Sequence, residues 1–385
     1  MDTLLILADD LTGAADTAAR CCAAGLAATI FLTPPHPPLP AAVVAFTSDS
    51  RHLSPPEAAR RVVEVAQPLV TIDARWYKKI DSTLRGNIGS ELDALLDLLD
   101  APAALVCPAF PAQARGLVNG YLIAPNLPPV GIHLLSLLRA QSRYPVLPFS
   151  LQDVRSGALV ERLQRRESSG RALFVVDALT DADLGLVVDA AQAMPALLFC
   201  GSAGLIGELA RRQAGSPELA GFPKPGSSEG KTVVVVGSGS PMAHRQIGGL
   251  LATCPTAAHL VVEAGDIPSA APLDSPLVLI HQPPPAPGAL LDGPIARQRA
   301  EKLADAACAH IAQAEPDLLF LVGGDTAVAV LSRLGVQRLT VQAELLPGMP
   351  LCLADVNGRV LRVVMKPGSF GDENALVEAL ERSNV

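Results

Sequence analysis

The sequence predicts two α/β domains with mainly parallel sheets, with mixed strands in the C-terminal domain. Three observations predict this. Short apolar runs alternate with helix-like segments along most of the chain, the rhythm of β-α-β units. The runs are apolar almost throughout, as in strands covered on both faces. One stretch, GSPELAGFPKPGSSEG at 215–230, breaks the rhythm with Gly, Pro and Ser and no periodicity. It reads as a linker between a domain at 1–214 and another at 231–385. A length of 385 residues suits two domains.

The elements follow in order. Residues 4–8 read as a buried first strand ending in Asp9-Asp10-Leu11-Thr12-Gly13, with a helix at 14–24 that stops at Gly25. Strands are expected at 28–32 and 43–47, the second ending in Ser48-Asp49-Ser50-Arg51, and a helix at 57–66. An apolar segment at 69–72 leads into YKKIDSTLRGNIGSE (77–91) and a helix at 88–99. Then come a strand at 103–107, an irregular segment at 112–151, a helix at 154–165, a strand at 172–176, a helix at 181–191 and a strand at 196–200. Past the linker, strands are expected at 232–236, 260–263, 277–281 and 318–322, with a long helix at about 295–314. The end is more β-like, at 335–341, 350–354 and 360–365, before a last helix.

Composition narrows the function. A net charge of −8, with no basic helix, argues against nucleic acid as a partner. Seven cysteines form no C-x-x-C pair and no zinc spacing, which suits reduced thiols and the cytoplasm. The start, MDTLLILADD, lacks a basic n-region and reads as a strand, and no apolar run reaches membrane-spanning length. A homodimer is compatible with the apolar composition and the irregular 112–151 segment.

Against this acidic background, Lys78, Lys79, Asp81, Ser82, Thr83 and Arg85 crowd into eight residues. A strand-to-helix turn lets such groups converge on an anion. Lys79 and Arg85 could neutralise a carboxylate or phosphate, while Asp81 and Ser82 could bind hydroxyls. Neighbouring residues of a strand point to opposite faces, so Lys79, not Lys78, is expected beside Asp81. Gly86 and Gly89 would permit close backbone approach. Asp9 and Asp10 stand where open α/β sheets bind ligands, and could orient a hydroxyl or help hold a metal; an N-cap and tight turn would also explain them. Arg51 could hold a carboxylate with both arms. Arg115 and Gly120 could rim the pocket. Four Gly- or Ser-rich turns could cradle phosphates: 201–204, 237–240 (from Gly237), 323–326 and 368–371. Ser240-Pro241 suits an N-cap followed by the first helical residue. The segment GSSEGKT (226–232) imitates a P-loop but is one residue short and precedes a strand.

The segments ILADDLTGAADTA, KKIDSTLRGNIGSEL, VGSGSP, LVGGDTA and KPGSFG together resemble the four-carbon acid sugar kinase family, over the whole chain. The resemblance implies an N-terminal acid-sugar-binding domain and a C-terminal nucleotide-binding domain. It implies ATP-dependent phosphorylation of the terminal (4-) hydroxyl of D-threonate, D-erythronate or an oxo-tetronate. Asp10, Arg51, Lys79, Asp81, Ser82 and Arg85 match the substrate side, and Asp9 and Arg115 stand with them. Ser238, Ser240, Gly323, Gly324, Asp325, Thr326 and Gly368 match the ATP side. Asp10, with Lys79 and Asp81, is expected at the chemistry. Mg²⁺ is expected on the phosphates, with no metal ligand assigned, and the two domains are expected to close against water. Two departures concern the substrate side: Ala114 replaces the usual Gly of a Gly-Arg…Gly element, and the run after Gly120 is shorter than in many relatives. A non-catalytic sugar-acid sensor is the second reading, though a sensor need not keep a complete nucleotide site.

Overall fold

The computed structural model describes residues 3–125, 131–167, 170–215, 230–263, 275–286 and 293–383. The chain divides into two compact units, Met1–Glu218 and Leu219–Val385. The expected linker at 215–230 and the P-loop imitation fall almost entirely outside the described residues.

The first unit comprises β1 (Thr3–Ala8), α1 (Leu11–Ala23), β2 (Ala28–Phe31), β3 (Val43–Thr47), α2 (Pro55–Ala66), β4 (Ala74–Lys79), α3 (Ile88–Leu98), β5 (Ala103–Cys107), β6 (Gly116–Val118), β7 (Tyr121–Ile123), α4 (Leu134–Gln141), β8 (Val146–Phe149), α5 (Leu151–Arg155), α6 (Leu159–Glu167), β9 (Ala172–Val176), α7 (Asp181–Gln192), β10 (Leu198–Gly201) and α8 (Ala203–Ala214). Its main sheet runs β2-β3-β1-β4-β10-β5-β9-β8, and the pairings within it are parallel. The alternation of side chains along each strand separates two cores. Leu5, Leu7, Phe46 and Trp76 pack with Val62 of α2 and Leu92 and Leu95 of α3. On the opposite face lies α1, which is rich in Ala and almost entirely buried.

The second unit comprises β11 (Thr232–Val236), α9 (Pro241–Thr253), β12 (Ala258–Val261), β13 (Leu277–His281), α10 (Gly293–Ala314), β14 (Leu318–Val322), α11 (Gly324–Arg333), β15 (Arg338–Leu346), β16 (Met349–Val356), β17 (Arg359–Lys366) and α12 (Ala375–Ser383). Its strands run β12-β13-β11-β14-β17-β16-β15. The pairings up to β17 are parallel, and β15-β16-β17 is an antiparallel meander. That is the mixed end expected from the sequence. Val234, Val236, Phe320, Val322 and Val364 form a core with Ala243 and Ile247 of α9 and Leu376 of α12.

Both units begin alike. Each first strand sits between the third and the fourth of its unit, in the order 2-3-1-4. The chain passes from the first strand to the outer second strand, returns inward to the third beside the first, then crosses to the other side. A crevice opens at such a switch point, outside the carboxyl ends of the strands.

Three local expectations change. The apolar segment at 69–72 is not a strand: a 3₁₀ turn spans Gln67–Leu69 and the strand is Ala74–Lys79, so Lys78 and Lys79 belong to the strand end. The 112–151 segment is not irregular, since it holds β6, β7, α4, β8 and the start of α5. Asn119 and Gly120 turn the β6-β7 hairpin with φ of 50° and 75°. Asn-Gly between apolar residues is a hairpin signal, and it was the available clue. The helix expected at 154–165 is two helices, α5 and α6, separated where Gly157 takes φ 77°.

Candidate active site

At the first switch point, β1 ends in Asp9 and Asp10. Asp10 is the N-cap of α1 and accepts from the Gly13 amide (2.7 Å) and the Thr12 hydroxyl (2.8 Å). The cap and the ligand-site readings of this pair therefore describe the same residue. Arg51, from the loop after β3, lies across both acids. Its Nε and Nη2 donate to the two oxygens of Asp9 at 2.7 and 2.8 Å, and Nη1 donates to Asp10. Burial works against ionised Asp10, but the charges of Arg51 and Lys79, with the bonds from Thr12 and Gly13, hold its carboxyl below the usual range. Asp10 is thus a carboxylate at neutral pH and a weak base.

The end of β4 supplies the opposite wall. Trp76 faces the α2-α3 core, so Lys78 follows it inward and Lys79 turns toward α1. A Cβ on Gly13 would stand 2.8 Å from Asp10 Oδ1 and 3.1 Å from Lys79 Nζ, so a larger residue there would have to displace these side-chain ends. Lys78 is fully buried and pairs with Glu91 of α3 at 2.7 Å. Ser50 donates to the same carboxylate at 2.8 Å, and Ser48 contacts Ser50 at 2.7 Å. Burial opposes the Lys78 charge, but Glu91 and Asp9 outweigh it and raise its pKa. This layer fixes the loop that carries Arg51. Nothing in the local sequence named Glu91 as the partner, because it comes from the next helix.

Beyond β4, Asp81 accepts from Arg85 Nε (2.6 Å) and from the Thr83 hydroxyl. Burial opposes the Asp81 charge, but Arg51, Arg85 and these bonds keep its carboxyl well below the usual range. The Arg85 side chain is 63% exposed, so it can swing toward a ligand. Arg115 donates to the Ser82 hydroxyl. Backbone bonds between Phe110 and Arg115, 2.8 and 3.1 Å, close the loop that aims it. Ala114, just before it, is left-handed at φ 51°, which explains why Gly suits that position. Gly86 takes φ 95° beside Arg51 and Asp9. Gly89 instead abuts Gln141 of α4, where a Cβ would come within 2.6 Å, so its role is helix packing. Gly120 packs on Leu135 and His133 in the hairpin. Gly201 and Gly204 face the backbone of Cys107 and Ala109, so the 201–204 turn is filled by protein and does not form a phosphate cradle.

At the second switch point three turns converge. A Cβ on Gly237, after β11, would stand 2.1 Å from the Thr326 hydroxyl of α11. One on Gly368, after β17, would stand 1.8 Å from the Ser238 hydroxyl. Gly323, after β14, takes φ 112° with the Ser238 amide 3.3 Å from its Cβ position. Ser240 caps α9 by accepting from the Ala243 amide (3.1 Å) and donates to the Gly368 carbonyl (2.9 Å), with Pro241 next as expected. Gly324 and Asp325 open α11. Backbone amides and two helix N-termini dominate here, a setting suited to phosphate. Lys366, missed as a site residue, ends β17 buried behind these turns. Its signal was there: it closes the apolar run Val363–Met365 directly before the Gly-containing turn at 368–371.

Among the described residues no group of three or more His, Cys, Asp or Glu could hold a metal. No described helix is long and apolar enough to cross a membrane.

Comparison with known proteins agrees with this arrangement. A family model described as a sugar-binding N-terminal domain matches residues 4–209, and one described as a nucleotide-binding C-terminal domain matches 287–376. The chain is 29% identical to a D-threonate kinase of Salmonella typhimurium, over 98% of this chain and 97% of the relative. It is 34% identical to a D-erythronate kinase of Heliobacterium modesticaldum over 64% and 60%, and 28% identical to a 3-oxo-tetronate kinase of Brucella melitensis over 98% and 95%. A crystal structure of a Haemophilus influenzae protein covers 98% of this chain and 100% of its own, with 25% identity and a TM-score of 0.73. With a sugar-binding match over more than half of the chain and full-length kinase relatives, the chain belongs to the four-carbon acid sugar kinase family, whose members are phosphotransferases with an alcohol group as acceptor.

Proposed function

We propose that this protein transfers the γ-phosphoryl group of ATP to the terminal hydroxyl of a four-carbon sugar acid, D-threonate or D-erythronate, with a 3-oxo-tetronate as the alternative acceptor. The observation that carries the reading is the contrast between the two switch points. One is lined by ionised side chains that match a small polyhydroxy acid, and the other by Gly turns that match phosphates. On this reading residues 1–214 bind the acid and residues 231–385 the nucleotide.

The roles follow from the chemistry. Three N–H groups of Arg51 already hold Asp9 and Asp10, so Arg51 serves to keep both carboxylates ionised and aimed. The acceptor's carboxylate then falls to Lys79, Arg85 and Arg115, and its hydroxyls to Asp81 and Ser82. Asp10, a weak base, orients the attacking hydroxyl. Little more is needed, because phosphoryl transfer through a loose transition state is mainly positioning and electrostatics. The phosphates lie against Gly237, Ser238, Ser240, Gly323, Gly324, Asp325, Thr326 and Gly368. Mg²⁺ would enter as MgATP, held by phosphate oxygens and water, which suits turns that offer a single carboxylate, Asp325, and no acidic cage.

The test is ADP formation with a panel of D-threonate, D-erythronate, their L-forms and 3-oxo-tetronate. Acid-dependent ADP release is expected with at least one D-acid or the oxo-acid. If no acid stimulates release while one still raises the melting temperature, the sensor reading replaces this one.

A further inference from the structure

The second switch point contains a cation that the transfer mechanism above leaves unused. Lys366 is the last residue of β17 and is completely buried. It follows Val364 in the row that faces α9 and α12. Its Nζ donates to the carbonyls of Pro367 (3.0 Å) and Gly368 (3.4 Å). The Gly368 carbonyl also accepts from Ser240, so Lys366 and Ser240 grip the same peptide. That peptide presents Gly368 to Ser238.

No carboxylate among the described residues pairs with Lys366. The other ionisable groups on its own strand and the surrounding elements are Arg359 and Arg362 on β17, His244 and Arg245 on α9, Asp325 and Arg333 on α11, Asp372 and Glu373 in the following loop, Glu378, Glu381 and Arg382 on α12, and Asp355 on β16. Arg245 is paired with Glu373, and Arg382 with Glu378. None of them contributes to the titration of Lys366, which burial alone pushes down to about 7. A neutral amine can keep both carbonyl bonds, and an ammonium adds a third N–H and a charge.

We propose that Lys366 is the positioning charge of the nucleotide turns, and that nucleotide binding draws one proton from solvent onto its amine. The phosphates supply the negative charge that the buried ammonium otherwise lacks. Protonation in turn clamps the Gly368 peptide against Ser238 and Ser240. The proposal rests on the reading of these turns as the nucleotide site.

Calorimetry of MgADP binding to the full chain, at pH 8 in buffers of differing ionisation enthalpy, tests both. At that pH the phosphates are already ionised, since their second pKa lies near 6. An uptake approaching one proton per nucleotide is expected. Affinity should fall roughly tenfold from pH 8 to pH 9, one unit of linked titration being a factor of ten. Lys366→Arg, permanently charged, should bind without uptake and without that pH dependence. Binding by the unaltered chain with no proton uptake overturns the role of Lys366 and leaves the nucleotide site standing. Absence of MgADP binding at any pH overturns the site, and the proposal with it.

Discussion

The two units share the strand order 2-3-1-4 at their start, yet line their switch points with different groups. At the first switch point the working groups are side chains, and charges balance charges: Arg51 on Asp9 and Asp10, Arg85 on Asp81, Lys78 on Glu91. At the second the working groups are backbone, and the notable feature is missing Cβ atoms at Gly237 and Gly368. A shared topology therefore fixes where a site forms and leaves open what it recognises. A small acid with several hydroxyls presents few atoms, and discriminating it requires ionised and hydroxyl groups at fixed positions. A polyphosphate presents the same oxygens repeatedly, and a ring of amides is sufficient.

If this contrast is real, the two sites should fail differently. The largest effect is expected for Arg51→Ala. It strips the buried Asp9 carboxylate of both its Arg51 bonds and leaves Asp10 only Lys79, Thr12 and Gly13, and removing one partner of a buried pair costs about 3–5 kcal/mol. Urea unfolding should show that loss, and turnover should fall at least about a hundredfold, as positioning of the acceptor is lost. Arg51→Lys should not restore activity, because a single ammonium cannot span both acids. Near-normal kcat in Arg51→Ala would mean that Asp9 and Asp10 need no bracing.

Gly237→Ala should act more selectively. Its methyl would collide with Thr326 and Leu303, so the turn must shift. Nucleotide affinity should drop roughly tenfold or more, about 1.4 kcal/mol, while binding of the sugar acid, read by thermal shift without ATP, stays unchanged. Weakened acid binding in this variant would break the division of labour between the units.

The smallest effect is expected at Ala114, which holds a left-handed conformation that costs a non-glycine residue about 1 kcal/mol. Ala114→Gly should therefore raise stability by up to about 1 kcal/mol, measured by urea midpoint. It also tests whether the strained loop matters for aiming Arg115: an unchanged acid KM shows that the Phe110–Arg115 backbone bonds alone set its direction.

Much of the fold was legible because parallel α/β architecture writes itself locally. Apolar runs marked β1, β3, β5, β9, β11, β13 and β14 within about a residue. Where reading failed, other signals were competing. The segment at 69–72 is apolar yet forms turns after the 3₁₀ helix Gln67–Leu69, while the true strand, Ala74–Lys79, carries Arg75, Lys78 and Lys79. Charged residues at a strand's end looked like a loop because their buried partners lie elsewhere in the chain. The hairpin at Asn119-Gly120 was overlooked for a different reason, since its strands are only three residues each.

The sequence by itself determined the caps, the turns and the faces. Asp10 before Gly13, Ser240 before Pro241 and the split between Lys78 and Lys79 depend on neighbours within a few positions and on fixed periods of helix and strand. Tertiary structure decided the partners. Arg51 was open to any carboxylate until β3 was placed beside β1, which brought it to Asp9, 42 residues away. Lys78 found Glu91 only once α3 covered that face. The turns at Ser240 and Gly368, 128 residues apart, became one site only through the placing of β11, β14 and β17 side by side. Local chemistry sets what each residue can do, and strand order sets which residues meet, because an ion pair needs two groups within a few ångströms whatever their distance along the chain.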